Sequence, residues 1–201
     1  MHITAIERQQ KRAHRVSVYV DGEFLVGLSE VALLKSGVQT GQEITQQQKT
    51  DLLQLADYDA AREKVLRLLA RRPRSKWELQ VYLQRKSYDA SLIDELLDEL
   101  QQCDHIDDTA FAQWWVEQRR LLKSISKNKL KMELRQKRIA DDIISSAVDS
   151  DDTSDSEAIK RLIAKKQQQL RYRDRQKMMQ YLARQGFHYG DIKAALDESN
   201  D

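Results

Sequence analysis

The chain has 201 residues, enough for one sizeable domain or several small modules sharing a core. Apolar residues make up 40% and charged residues 33%, and 34 Lys+Arg against 32 Asp+Glu leave a net charge of +2, which argues against a uniformly basic protein. A single Cys excludes an internal disulfide framework, the longest apolar runs fall short of a membrane span or a signal peptide, and one Pro with 6 Gly point to a mostly helical chain in a reducing cytoplasm.

The first elements are strands. The run VSVYVDGEFLVGL over 16–28 alternates apolar and polar residues on both sides of Asp21-Gly22. Asp-Gly suits a type I′ turn, so a β-hairpin is predicted over 15–20 and 23–28. A lone hairpin is marginal in water, and Ile3-Thr4-Ala5-Ile6 is the candidate third strand. A short helix over 29–35 capped by Ser29 follows, then turns at Gly37 and Gly41. This segment reads either as a structural cap on the helices or as a second contact surface through Lys11, Arg12 and Arg15.

From about residue 57 the apolar period becomes 3.6, and the pattern repeats. With Ser75, Ser126 and Asp174 in register, apolar residues recur at +4 (Leu79, Leu130, Met178) and +8 (Leu83, Leu134, Leu182). They recur again at +13 (Tyr88, Ile139, Phe187), +18 (Ile93, Ile144, Ile192) and +22 (Leu97, Val148, Leu196). Each copy reads as a capped helix, a turn plugged by the +13 residue, and a second helix. A further helix precedes each cap, over about 57–70, 107–123 and 155–170. Gly186 sits where a left-handed turn is wanted; Ser87 and Arg138 hold the equivalent places, at about 1 kcal/mol each if the conformation is kept. The acidic, apolar-free stretch Ser150–Ser156 is the best linker candidate and would let the third repeat move against the second.

The predicted fold is mainly α: three tandem three-helix repeats in an elongated curved array, with a small N-terminal β-hairpin segment. The expected divisions are 1–56, 57–105, 106–150 and 151–201. Units of this size are too small for robust separate cores, so neighbours should stack.

Enzyme chemistry finds little support. No GxxxxGK or GxGxxG loop occurs, and His2, His14, His105 and His188 lie far apart. The pairs Asp107-Asp108, Asp141-Asp142 and Asp151-Asp152 stand at helix starts or in a linker, where they read as caps and not as a metal site. No cofactor, metal or catalytic residue is expected.

Charge alternates with the repeat. Residues 62–86, 119–138 and 160–177 hold nine, nine and eight Lys/Arg, whereas 87–118 and 139–158 hold nine and seven acids and no Lys/Arg. Either the opposite segments pair between neighbouring helices, or the basic segments form a stripe for a polyanion or an acidic protein face. The single acid in 119–138 favours the stripe. Phosphate contacts of that kind give affinity without base specificity.

The segment IDDTAFAQWWVEQR over 106–119 resembles the middle signature of the RecX family, regulators of the RecA recombinase. RSKWELQVYL over 74–83 is similar to the family's first-repeat element, and YLARQGFHYGDI over 181–192 to its third. The resemblance spans about 57–197 and departs from the pattern at Ser87 and Arg138, where Gly is more usual; the hairpin matches only some longer members. It implies a non-enzymatic cytoplasmic monomer. Such a protein lies in the groove of the RecA–DNA filament and inhibits strand exchange, ATP hydrolysis and co-protease activity. It also implies weaker, non-specific contact with single- or double-stranded DNA. The alternative is a DNA-binding helical-repeat protein acting without RecA. The expected RecA- or DNA-binding residues are Arg71, Arg72, Arg74 and Lys76; Arg119, Arg120, Lys123, Lys127, Lys129, Lys131 and Arg135; and Arg171, Arg173, Arg175 and Lys177. Trp77, Trp114 and Trp115 are candidate apolar anchors.

Overall fold

The structure is a computed structural model that describes residues 1–12 and 14–199. Strands β1 (Ile3–Arg8), β2 (Arg15–Val20) and β3 (Glu23–Ser29) form an antiparallel sheet in the order β1-β2-β3. Val20 pairs with Glu23, and Asp21 and Gly22 have φ of 50° and 86°, as the Asp-Gly signal requires. The alternation buries Val16, Val18, Val20, Val26 and Leu28 with Ile3, and the chain covers them with Ala32, Ile44 and Leu52. Ala32 comes from α1 (Glu30–Ser36), whose N-cap Ser29 accepts from Ala32 N.

Helix α2 (Gln46–Leu69) starts eleven residues before the predicted helix at 57. Thr45 and Gln48 form a capping box that holds its first turn, in a Gln-rich run with too few apolar residues to show a period. Eight more α-helices follow among the described residues: α3 (Lys76–Gln84), α4 (Ala90–Gln102), α5 (Asp108–Lys123) and α6 (Lys127–Gln136). The rest are α7 (Asp141–Asp149), α8 (Asp155–Lys166), α9 (Arg175–Arg184) and α10 (Tyr189–Glu198), giving three successive three-helix sets.

One local design recurs in all three sets. Ser75, Ser126 and Asp174 accept from the backbone N–H three residues on, at 3.2, 3.1 and 3.1 Å. The paired helices then end alike: Tyr88, Ile139 and Phe187 donate their N–H to Leu83, Leu134 and Leu182 carbonyls at 3.3, 3.3 and 3.4 Å. The residue before each donor is left-handed, Ser87 at φ 59°, Arg138 at 58° and Gly186 at 88°. This is a Schellman stop, and the +13 side chain is the hydrophobic plug that accompanies it. Ser87 and Arg138 keep the conformation with exposed side chains, so their cost is backbone strain alone, about 1 kcal/mol each.

The described chain divides into two compact units, 1–72 with 79–105, and 73–78 with 106–201. In the first, the Tyr58 hydroxyl donates to Glu99, which also takes Arg62 at 3.2 Å, tying α2 to α4. Burial, then the bond to Glu99, raises the Tyr58 pKa, while the same bond holds the Glu99 carboxyl below its usual range. In the second unit, Phe111, Val116, Ile125, Leu130, Leu134 and Ile144 form one core cluster, and Ile159, Leu162, Met178, Leu182 and Ile192 another. Among the described residues, no helix is long and apolar enough to cross a membrane.

Candidate functional site

In the second unit, α5, α6, α8 and α9 enclose a groove of about 560 Å³. The C-terminal turn of α5 contributes Leu121, Leu122 and Lys123; α6 contributes Lys129 and Glu133; α8 contributes Arg161, Lys165 and Lys166; and α9 contributes Tyr181. Five cations thus face one carboxylate, and that carboxylate is already spent. Glu133 accepts from Arg119 Nε at 2.7 Å and from Trp115 Nε1 at 3.0 Å. Leu121 and Leu122 are 79% and 70% exposed, because they lie off the stripe of Phe111, Ala112 and Val116 that α5 buries. The groove therefore offers positive charge around an apolar lip, complementary to an acidic surface that also carries apolar side chains. Lys166 stands 5.5 and 5.3 Å from the rings of Tyr172 and Tyr181. Burial raises the Tyr181 pKa, so its hydroxyl stays neutral.

The structure sorts the predicted cations differently from their segment charge. Arg120 is a correction: it is only 9% exposed, on the apolar stripe of α5, one turn after Val116. It donates to Asp151 at 2.6 Å, to the Ile125 carbonyl at 2.6 Å, and to Asp155 and the Thr153 carbonyl at 3.2 Å each. A side chain so enclosed is a clamp and not a contact surface. The same bonds correct the expectation of a free link at 150–156, since two of its three carboxylates, Asp151 and Asp155, and the Thr153 carbonyl are fastened to Arg120.

The expectation that cations of 119–138 lack internal partners also fails. Lys127 Nζ reaches the Asp151 carbonyl at 3.0 Å and Lys129 Nζ the Arg184 carbonyl at 2.5 Å. Lys131 pairs with Asp149 at 4.0 Å, Arg135 with Asp141 at 2.8 Å, and Lys137 with Glu78 while lying 5.1 Å from the Trp115 ring. Arg119 stacks 4.5 Å from that ring. Arg120, Lys131 and Arg135 thus meet carboxylates of the acidic segment 139–158, whereas Lys127 and Lys129 reach backbone carbonyls. Lys123 remains exposed at the groove. Arg171, Arg173 and Lys177 are exposed too, whereas Arg175 bonds Asp197. Arg71 is exposed in the first unit; Arg72, Arg74 and Lys76 are half-buried, each with partners. Trp77, Trp114 and Trp115 are half-buried, and Trp114 and Trp115 pack on Phe111 with ring centres 6.1 and 5.7 Å apart.

Sequence reasoning missed Arg161, Lys165, Lys166 and the Leu121–Leu122 lip. The usable signal was two adjacent Leu outside the helical stripe, next to Lys123. Among the described residues, no three His, Cys, Asp or Glu side chains converge as metal ligands.

Comparison with known proteins covers most of the chain. The family model "Regulatory protein RecX N-terminal domain" matches residues 1–45, which extends the resemblance through the sheet. The first, second and third three-helix domains of RecX match 61–100, 107–148 and 154–196. A "Regulatory protein RecX" of Clostridioides difficile is 28% identical over 98% of this chain and 94% of its own. One from Bacillus licheniformis is 29% identical over 99% of this chain and 78% of its own. A crystal structure of regulatory protein RecX, 23% identical, matches the fold over 98% of both chains with a TM-score of 0.73. A RecX structure from Lactobacillus salivarius covers 71% of this chain and 96% of its own at a TM-score of 0.58. With all four domain models matched in order along a mainly helical chain, the protein belongs to the RecX family of regulatory proteins.

Proposed function

We propose that the chain regulates the RecA recombinase without chemistry of its own, chiefly as an inhibitor that lies along the RecA–DNA filament groove in the cytoplasm. In that position it lowers strand exchange, ATP hydrolysis and co-protease activity. The observation that carries the reading is the complete RecX domain series over residues 1–196. The basic groove supplies a docking chemistry: Lys123, Lys165 and Lys166 attract an acidic RecA face, and Leu121 and Leu122 bury against it. Charge at the rim governs encounter, and the apolar lip governs residence. Sedimentation with RecA filaments tests this. Lys123→Glu with Lys165→Glu, both exposed, should weaken binding at least tenfold at moderate salt while leaving the fold intact. Wild-type affinity in that variant would remove the groove from the contact.

A further inference from the structure

The N-terminal sheet and the first three-helix set make a second basic cavity, wholly inside the first unit. Its volume is about 360 Å³, and Arg12, Lys64, Arg67, Arg71 and Lys86 stand around it with the Tyr82 ring. A second cavity of about 350 Å³ shares Arg12, Arg15, Glu63 and Arg67 with it and continues past His14, so the two form one cleft.

The floor of this cleft is fixed and its walls are free. Arg15, with a side chain 12% exposed, donates to Glu63 at 2.6 Å, to Asp59 at 3.3 Å and to the Gly27 carbonyl at 2.8 Å. The Ser29 hydroxyl donates to the other Asp59 oxygen at 2.6 Å. These bonds fasten the sheet to α2 and consume the acids of the floor. Glu63 is the single carboxylate lining the cavity, and both Arg15 and Arg67 already hold it. Lys64 is held by the Tyr88 hydroxyl at 2.6 Å. Arg12, Arg71 and Lys86 are exposed, and among the described residues their side chains form no ion pair. Arg67 lies in the last turn of α2 and Arg71 two residues beyond its end. The cleft is thus unbalanced in charge, and its guanidinium groups suit phosphate oxygens.

We infer that this cleft is a nucleotide site: Arg12, Arg71 and Lys86 take phosphate oxygens, Arg67 assists, and the half-buried Tyr82 ring lies against the base. The aromatic ring favours a nucleotide over an acidic peptide, whose Asp and Glu side chains carry no aromatic base to stack. The nucleotide comes either from a single strand or from a free nucleoside triphosphate. The site goes beyond the proposed function, whose docking groove lies in the second unit, and it is tested without RecA, so the two fail separately.

The test is fluorescence anisotropy of a labelled oligo(dT) with the full chain, followed by competition with ATP. Arg71→Gln with Lys86→Gln, both exposed, should flatten the slope of log affinity against log salt by about 1.4 units for two lost phosphate contacts on a single strand. Tyr82→Leu should weaken binding roughly tenfold without changing that slope. Lys193→Glu, exposed on α10 and outside both the cleft and the groove, serves as the control and should leave oligo(dT) affinity unchanged. Displacement of the oligonucleotide by micromolar ATP assigns the cleft to free nucleotide, and failure of ATP to compete assigns it to the strand; both support the site. Unchanged affinity and slope in folded Arg71→Gln/Lys86→Gln would overturn it. So would displacement by poly-glutamate at concentrations where ATP and excess unlabelled oligo(dT) do nothing.

Discussion

Arg120→Ala should destabilise the second unit by about 3 kcal/mol, measured by urea denaturation. The size follows from what is left behind. Asp151 has a side chain only 11% exposed and Asp155 27%, and both lose the guanidinium that Arg120 brings to them. The Ile125 and Thr153 carbonyls lose donors as well. Asp155 has a further task, accepting from Lys127 N at 3.0 Å at the start of α6. A repelled Asp155 therefore also loosens the N-terminus of a neighbouring helix. Hydrogen exchange locates the effect: residues 150–156 should be protected in the wild type and exchange rapidly in the variant. A loss below about 0.5 kcal/mol with unchanged exchange would mean that Arg120 does not hold the link. Arg120→Lys should recover only part of the loss, because an ammonium cannot span four acceptors in one plane.

The second large effect belongs to Gly186. A Cβ there would stand 2.5 Å from Ser126 Oγ and 2.8 Å from Lys129 Cβ, at a φ of 88°. The turn after α9 is pressed onto the first turn of α6, where Ser126 N also donates to the Gln185 carbonyl at 3.1 Å. Gly186→Ala adds left-handed strain of about 1–2 kcal/mol to a clash against backbone-fixed atoms, for a total of about 3 kcal/mol. Thermal or urea unfolding measures the loss, and exchange should rise over α8 to α10. Ser87 and Arg138 occupy the same left-handed place with exposed side chains, so a non-glycine is tolerated there. A cost for Gly186→Ala no larger than the strain alone would mean that the turn is not seated on α6.

The repeat was legible because its signals are local. The +4, +8, +18 and +22 residues of all three copies are buried, and the caps and left-handed stops fall where the register puts them. Asp-Gly and Ser29 fixed the hairpin and the first helix for the same reason. The start of α2 was missed because a capping box at Thr45, not a hydrophobic period, begins it. The site was far less legible. Segment charge counts neighbours in sequence, whereas Lys137 meets Glu78 and Arg120 meets Asp151 only after folding. One sign was available: Arg120 interrupts an apolar stripe, and a cation in such a place needs buried acceptors. The groove lip at Leu121 and Leu122 gave the opposite sign, apolar residues on a face that packing leaves open.

The central claim is regulation of RecA, and ATP turnover by RecA on single-stranded DNA tests it most directly. Titrating in the full chain should lower turnover at well under one chain per RecA protomer, because a protein seated along a filament affects several protomers at once. Unchanged turnover at an equimolar ratio would contradict the account.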